Sequence, residues 1–407
     1  MKELLHSKNF IFLCNGSLVS QFGDRITHMV LIALVGHFNP GSYFGFSKMA
    51  IFFTLPPILF SPIAGILADK YSKRSIMLFS DIARGLLIAS LPLIIKFSGQ
   101  NFTFVYLVIF LIFALCPFFN IARVSFIPQI VTYNKLLLSN SILNFIIRFA
   151  TVFGMVLGGY LLDFVGWNNG FYIDAITYFI SFIFIFLIPY NLEKILPSPK
   201  LKTFFLIKNI FSEIKESFIL VLKTRVILLL MCTVVIFGLI VSSTYVIFIP
   251  KIQQELHKGT SGVGLTRGFM AIGMILGALL ISIFHKRISK KYIFIISFFS
   301  IGILFSLTCY KISFFLINLI AIIGGMATSG ILISQETYIQ EKVSEKLRGK
   351  IFSIKEILLS LSSLCFALII GWSAEKIKIE YILIILAIIS ILTSISFFYS
   401  KLFFKEK

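Results

Sequence analysis

"GILADKYSKRS", Gly65 to Ser75, places four charges within six residues between two long apolar runs. The chain around it is 407 residues with a mean hydropathy of +0.99, 58% of them hydrophobic and only 13% charged. A soluble core of that size would need a polar shell that this composition does not supply. One acid followed by three bases therefore marks a point where the chain leaves an apolar phase. The runs on either side read as membrane-spanning helices.

A spanning helix needs about 20 mostly apolar residues. Stretches of that kind occur over 9–36, 43–67, 75–97, 103–124, 140–166 and 168–189, and again over 226–249, 262–285, 290–310, 313–335, 351–373 and 380–403. The opening "MKELLHSKNFIFLC" resembles the start of a signal peptide. Its apolar run continues to about Val35 with no small-residue cleavage site, so it is expected to stay as the first helix. With the N-terminus inside, the outer segments carry only Lys96, Lys251, Lys258, Lys311, Lys376 and Lys378. The inner segments carry several times as many bases, seven of them between 190 and 225. Bases retained on the cytoplasmic side fix the expected topology: both termini cytoplasmic, a multi-pass protein of the cell membrane.

The chain thus divides into a six-helix half over 1–190, a cytoplasmic linker over 191–225 and a second six-helix half over 226–407. In the linker, Ile207, Phe211, Ile214, Phe218 and Leu222 recur at helical spacing, with Lys208, Lys215 and Lys223 off that face. The pattern predicts an amphipathic helix on the inner membrane surface, a solvated connector being the alternative. The expected fold class is an all-α membrane protein of twelve transmembrane helices.

Several function classes fall away. The net charge of +20 is spread over helix ends rather than gathered in a patch, which favours an anionic membrane over nucleic acid. Cys14, Cys116, Cys232, Cys309 and Cys365 are scattered through apolar runs, with neither a CxxC nor a Cys/His cluster, so no metal and no disulfide framework is expected. No GxxxxGK[ST] loop and no nucleophile–base constellation occur, so neither a cofactor nor an enzymatic activity is expected. Energy for any work must come from a gradient, in which one charge crossing 100 mV releases about 2.3 kcal/mol.

Within the opening stretch, Gly65 is expected to let the second helix approach a neighbour closely, and Asp69 to accept from a helix N-terminus or pair with an arginine. Gly65, Leu67, Ala68, Asp69, Lys70, Ser72, Lys73 and Arg74 resemble the loop G-x-L-a-D-r-x-g-r-k between helices 2 and 3 of the major facilitator superfamily, with Ser72 in place of the usual glycine. The resemblance implies that Gly65, Asp69, Lys73 and Arg74 form a gate locking the two halves in one state of an alternating-access cycle. The equivalent loop of the second half, "GALLISIFHKRISKK", keeps Gly277 and the bases but not the acid. "GMVLGG", Gly154 to Gly159, resembles the antiporter motif G-P-x-x-G-G of the same superfamily, with Met155 in place of proline. Gly154, Gly158 and Gly159 read equally as a close-packing seam. "SQFGDRIT", "RVSFIPQIV", "SNSILNFIIR" and "EKLRGKIFS" resemble the macrolide-efflux and enterobactin-exporter branch, which implies export of a bulky organic molecule driven by proton entry.

Charges inside a membrane are costly, about 2.5–3.5 kcal/mol each at the centre, and are kept for a purpose. Ser17, Gln21, Asp24 and His28 are spaced four, three and four apart on the first helix, so they form one polar face, with Arg25 beside it. Asp24 is the candidate proton carrier and His28 its relay, the alternative being an Asp24–Arg pair that never titrates. Arg148, about 12 Å into the fifth helix, is the expected counter-ion of Asp24 or of an anionic substrate group. Asp81 and Arg84, at i, i+3, are expected to neutralise each other, and Asp174 to snorkel to water near an outer helix end. Cavity-lining candidates are Ser17, Gln21, Arg25, Ser242, Tyr245 and Gln335. The expected partners are protons, a small-molecule substrate and the lipid bilayer, the protein acting as a monomer. The expected function is export of a bulky amphipathic compound such as a macrolide in exchange for protons. Transport of a siderophore or lysolipid, nutrient uptake and a non-transporting sensor are the alternatives.

Overall fold

The computed structural model describes residues 7–98, 103–132, 135–189, 221, 225–284, 287–310, 312–343 and 345–399. Every regular element among them is helical. In chain order they are α1 (Lys8–Phe38), α2 (Tyr43–Lys70), α3 (Lys73–Ser98), α4 (Thr103–Ile130), a long run Leu136–Phe186, α7 (Arg225–Pro250), α8 (Gly259–Phe284), α9 (Lys290–Leu307), α10 (Phe314–Lys342), α11 (Glu345–Ala374) and α12 (Ile379–Tyr399). The long run is broken at Gly166, whose φ of 75° and ψ of 164° are open to glycine and costly for other residues. It therefore comprises two helices, α5 (136–165) and α6 (167–186). Each element is long and apolar enough to cross a bilayer, where helices satisfy every backbone group internally. Phe79, Phe97, Phe104 and Phe164 face outward, as side chains solvated by lipid do.

The described residues form two compact units: those of Met1–Phe38 with Met49–Ile207, and those of Asn39–Lys48 with Lys208–Lys407. In the first, α1 packs against the α5–α6 run, and α3 against α4 and that run. In the second, α8 pairs with α10, α9 with α12 and α7 with α11. Residues 39–48 join the second unit through Ser42 Oγ, which donates to Glu375, and Tyr43 OH, which donates to Glu255. The linker's expected amphipathic helix lies outside the described residues.

Several helix ends are closed by side chains. Ser72, standing where the motif has glycine, accepts from the Ser75 N–H at 3.0 Å and so caps α3. Arg74 donates to the carbonyls of Ile185 and Phe186 at the end of α6, at 3.3 and 2.6 Å. Beneath it Phe10, Met77, Phe119, Phe126 and Ile185 form one apolar cluster. In the second unit the buried Lys251 likewise donates to the Thr308 carbonyl just past α9, at 3.1 Å.

Small residues set the closest helix approach. A Cβ on Gly325 would meet the Met270 carbonyl oxygen well inside contact distance, and one on Gly273 the Ile322 carbonyl oxygen. Gly277 sits against Met326 and Ser329 in the same α8–α10 seam. Gly65 does not share this role: a Cβ there would meet nothing within 4 Å, which corrects the expectation of close packing at that glycine. Two neighbours give a test. Gly325→Ala should lower the melting temperature in detergent, overpacking costing about 1–3 kcal/mol. Gly324→Ala, whose Cβ would make only an ordinary contact with Leu304 at 3.7 Å, should leave it unchanged or raise it slightly.

Candidate functional site

The polar groups of the first unit converge on one guanidinium. Arg84 of α3 is fully buried, and an arginine has five N–H donors. Nη1 reaches Asp24 Oδ1 at 2.9 Å and Cys116 Sγ at 3.7 Å; Nη2 reaches Asp81 Oδ1 at 3.0 Å and Ser20 Oγ at 3.2 Å; Nε reaches the Ser80 carbonyl at 3.4 Å. Its plane lies over the Tyr178 and Phe119 rings, 4.5 and 5.3 Å from their centroids. One side chain thus ties α1, α4 and α6 to α3.

The two carboxylates differ in setting. Asp81 is fully buried and also accepts from Ser181 Oγ at 2.6 Å. Asp24 accepts from Tyr178 OH at 2.8 Å and Gln21 Nε2 at 2.9 Å as well as from Arg84, yet its side chain keeps 11% of its surface exposed. That surface opens on a cavity of about 330 Å³, lined on α1 by Gln21, Asp24, Arg25 and His28. Phe53, Pro57 and Ser61 of α2 and Phe113, Cys116, Pro117 and Asn120 of α4 supply the other walls. Each of those two prolines removes the N–H that would have bonded the carbonyl four residues earlier, that of Phe53 and that of Phe113. Both freed carbonyls therefore belong to cavity-lining residues. The His28 ring rests between the Phe53 and Phe113 rings, at 4.3 and 5.3 Å.

The predicted polar face of α1 is divided by this geometry. Gln21, Asp24 and His28 line the cavity with Arg25, whereas Ser17 is fully buried away from it. Arg148 is exposed on α5, and the arginine on Asp24 is Arg84. This corrects the expectation that Asp81 and Arg84 serve only each other: Arg84 bridges both acids. Asp174 does not reach water. It is fully buried on α6, where Oδ2 accepts from Thr27 Oγ1 at 2.5 Å.

Gly154 packs against the Cβ and Cγ of Arg25, Gly158 lies over Ile26 and Met29, and Gly159 is buried. The motif is thus the seam that brings α5 onto the cavity-lining helix. In the loop motif, Arg74 holds the end of α6 and Lys73 is largely buried, while the Asp69 side chain lies outside the described residues.

The second unit holds its own cavity of about 270 Å³, walled by Tyr245, Phe248, Met270 and Phe305 among other apolar groups, with Thr244, Thr266 and Arg267 as polar members. The Arg267 guanidinium lies 5.2 Å from the Tyr245 ring centroid. Of the three residues expected to line a cavity in this half, Tyr245 does. Ser242 back-bonds to the Leu239 carbonyl, and Gln335 donates to Thr233 Oγ1 at 3.2 Å; neither lines either cavity. Arg84 as the hub, with Tyr178, Ser181 and Ser20 as its satellites, is absent from the sequence reading. Its one signal there is that Asp174, Tyr178 and Ser181 recur four and three apart on an otherwise apolar helix.

The sequence model described as "Major Facilitator Superfamily" matches residues 13–266 and 231–407. "Putative bacilysin exporter BacE" of Bacillus subtilis (strain 168) is 24% identical over 367 residues, 89% of this chain and 87% of that protein. Among solved structures, a bacterial homologue of the iron transporter ferroportin, in an inward-facing state, superposes with a TM-score of 0.70 at 17% identity, covering 98% of this chain and 100% of that one. The nucleoside transporter NupG superposes with a TM-score of 0.67, also at 17% identity, covering 98% and 100%.

Removing Arg84 would strand two acids in an apolar setting. Arg84→Met should destabilise the protein by about 3–5 kcal/mol, read as a large fall in melting temperature of the purified protein. Adding Asp81→Asn to that variant should recover part of the loss, because it removes one of the stranded charges.

Proposed function

Since the chain belongs to the major facilitator superfamily, it is a multi-pass membrane transporter and not an enzyme, and we propose that it exports a bulky amphipathic organic compound in exchange for protons. The observation that carries this reading is Asp24: a carboxylate inside a membrane-spanning helix, on a cavity wall, held by an arginine, a tyrosine and a glutamine. Protonation of Asp24 would cancel its ion pair with Arg84, and deprotonation would restore it. The carboxylate therefore exchanges a proton with the cavity while the helices around Arg84 respond. His28, on the same face, passes protons or contacts substrate, and Arg25 offers a cation to any acidic substrate group.

Outward transport is supported by the relatives named for bacilysin export, which extend over nearly the whole chain. It is also supported by the Gly154–Gly159 seam and by the resemblance to the macrolide-efflux and enterobactin-exporter branch. In this reading both termini are cytoplasmic, the two six-helix halves alternate access about a central substrate, Gly65, Asp69, Lys73 and Arg74 belong to the gate, and the monomer is the working unit.

Inside-out vesicles with an acid interior and a pH-sensitive dye test this directly. A panel of macrolides, bacilysin, lipophilic cations and catecholate siderophores should include a compound that releases protons from wild-type vesicles. Asp24→Asn should abolish that release, a loss on the order of a hundredfold or more. Release that survives in Asp24→Asn would remove Asp24 from the proton path.

A further inference from the structure

We propose that Asp174 carries a resident proton, and that Thr27 and Tyr178 join it to Asp24 as a four-group proton relay ending at the cavity wall. The observations begin with what surrounds Asp174. It is fully buried, its Oδ2 lies 2.5 Å from Thr27 Oγ1, and its Oδ1 has no hydrogen-bond partner. Its carboxylate is seated over Gly23, where a Cβ would come within 3.1 Å of Oδ1. The ionisable groups acting on it are Asp24 from α1, Arg84 from α3 and Tyr178 from its own helix.

Arg84 cannot serve it. All five of its N–H donors are assigned, to Asp24, Cys116, Ser20, Asp81 and the Ser80 carbonyl. An ionised Asp174 would be a second carboxylate near Asp24, with one hydroxyl to hold it and no cation in hydrogen-bond reach. Burial of such a charge is among the most expensive arrangements a protein can hold. A proton removes the charge.

Thr27 Oγ1 lies 2.5 Å from Asp174 Oδ2 and 3.2 Å from the Gly23 carbonyl, which already takes the helical bond from the Thr27 N–H. With a proton on Oδ2, Asp174 donates to Thr27 and Thr27 donates its one hydroxyl proton onward.

The onward direction includes Tyr178, whose hydroxyl lies 3.4 Å from Thr27 Oγ1 and 2.8 Å from Asp24 Oδ1. The transfer balances. The Asp174 proton passes to Thr27 Oγ, the Thr27 proton to Tyr178, and the Tyr178 proton to Asp24. Three O–H bonds break and three form. Both hydroxyls end neutral, and one negative charge has moved from Asp24 to Asp174. The relay's use in transport rests on Asp24 as the coupling carboxylate; the resident proton and its path do not.

The test therefore needs no substrate. Infrared spectra of the full-length protein in lipid nanodiscs report the C=O stretch of protonated carboxyl groups. A band should be present in wild type and in Asp24→Asn and absent in Asp174→Asn; a spectrum unchanged by Asp174→Asn overturns the proposal. Should that variant fail to fold, Thr27→Val decides, since loss of its hydrogen bond should move the same band to higher frequency. An unmoved band again overturns the proposal. Tyr178→Phe then tests the path. On transfer to D2O the band should shift as the proton exchanges, at least about tenfold more slowly in Tyr178→Phe than in wild type. An equal rate overturns the relay, whether or not the protein proves to be proton-coupled.

Discussion

One guanidinium in an apolar phase ties together four helices of the first unit, α1, α3, α4 and α6. Water cannot compensate the Arg84 charge, so its five donors must find acceptors in the protein, and they do so on three helices. Asp24, Asp81, Ser20 and Cys116 are positions where α1, α3 and α4 supply those acceptors. Tyr178 and Ser181 attach α6 to the same carboxylates. The desolvation cost of such a cluster is large, and it is recovered only while the geometry holds. A change in the charge of one member therefore acts on the packing of several helices at once, which is the property a coupled transporter needs.

Close approach between helices makes that geometry reachable. Gly154 lets α5 rest on the stem of Arg25, and Gly23 leaves room on α1 for Thr177 and Asp174 of α6. A methyl group at either site would push α1 outward and lengthen the bonds to Asp24. The second unit uses the same close-packing device. Its α8–α10 seam is built on Gly273, Gly277 and Gly325, and its cavity is walled mainly by apolar side chains, with Arg267 over Tyr245. The buried carboxylate–arginine cluster thus belongs to the first unit, while the cavity of the second is walled mainly by apolar side chains.

Hydropathy and turn residues were enough to read the helices, including the break between α5 and α6, because a bilayer imposes length and a glycine at positive φ permits the turn. The polar face of α1 was also legible, since helical periodicity alone places Gln21, Asp24 and His28 together. The counter-ion was not. A local i, i+3 rule accounts for Asp81 and Arg84 completely, and nothing in the sequence says that Arg84 has donors to spare for a helix sixty residues away. Asp174 was misplaced for a related reason. Position along a helix suggests proximity to water, but burial depends on which face a neighbouring helix covers. Gly65 shows the converse: a motif glycine need not pack closely, whereas Gly277 in the second half does.

The central claim is that a proton gradient, acting through Asp24, does the work. Proteoliposomes holding the purified protein, with an exported compound trapped at equal concentration on both sides, test it most directly. An imposed pH gradient should drive that compound toward the acid side, and reversing the gradient should reverse the flux. A flux that relaxes identically with and without the gradient would contradict the account.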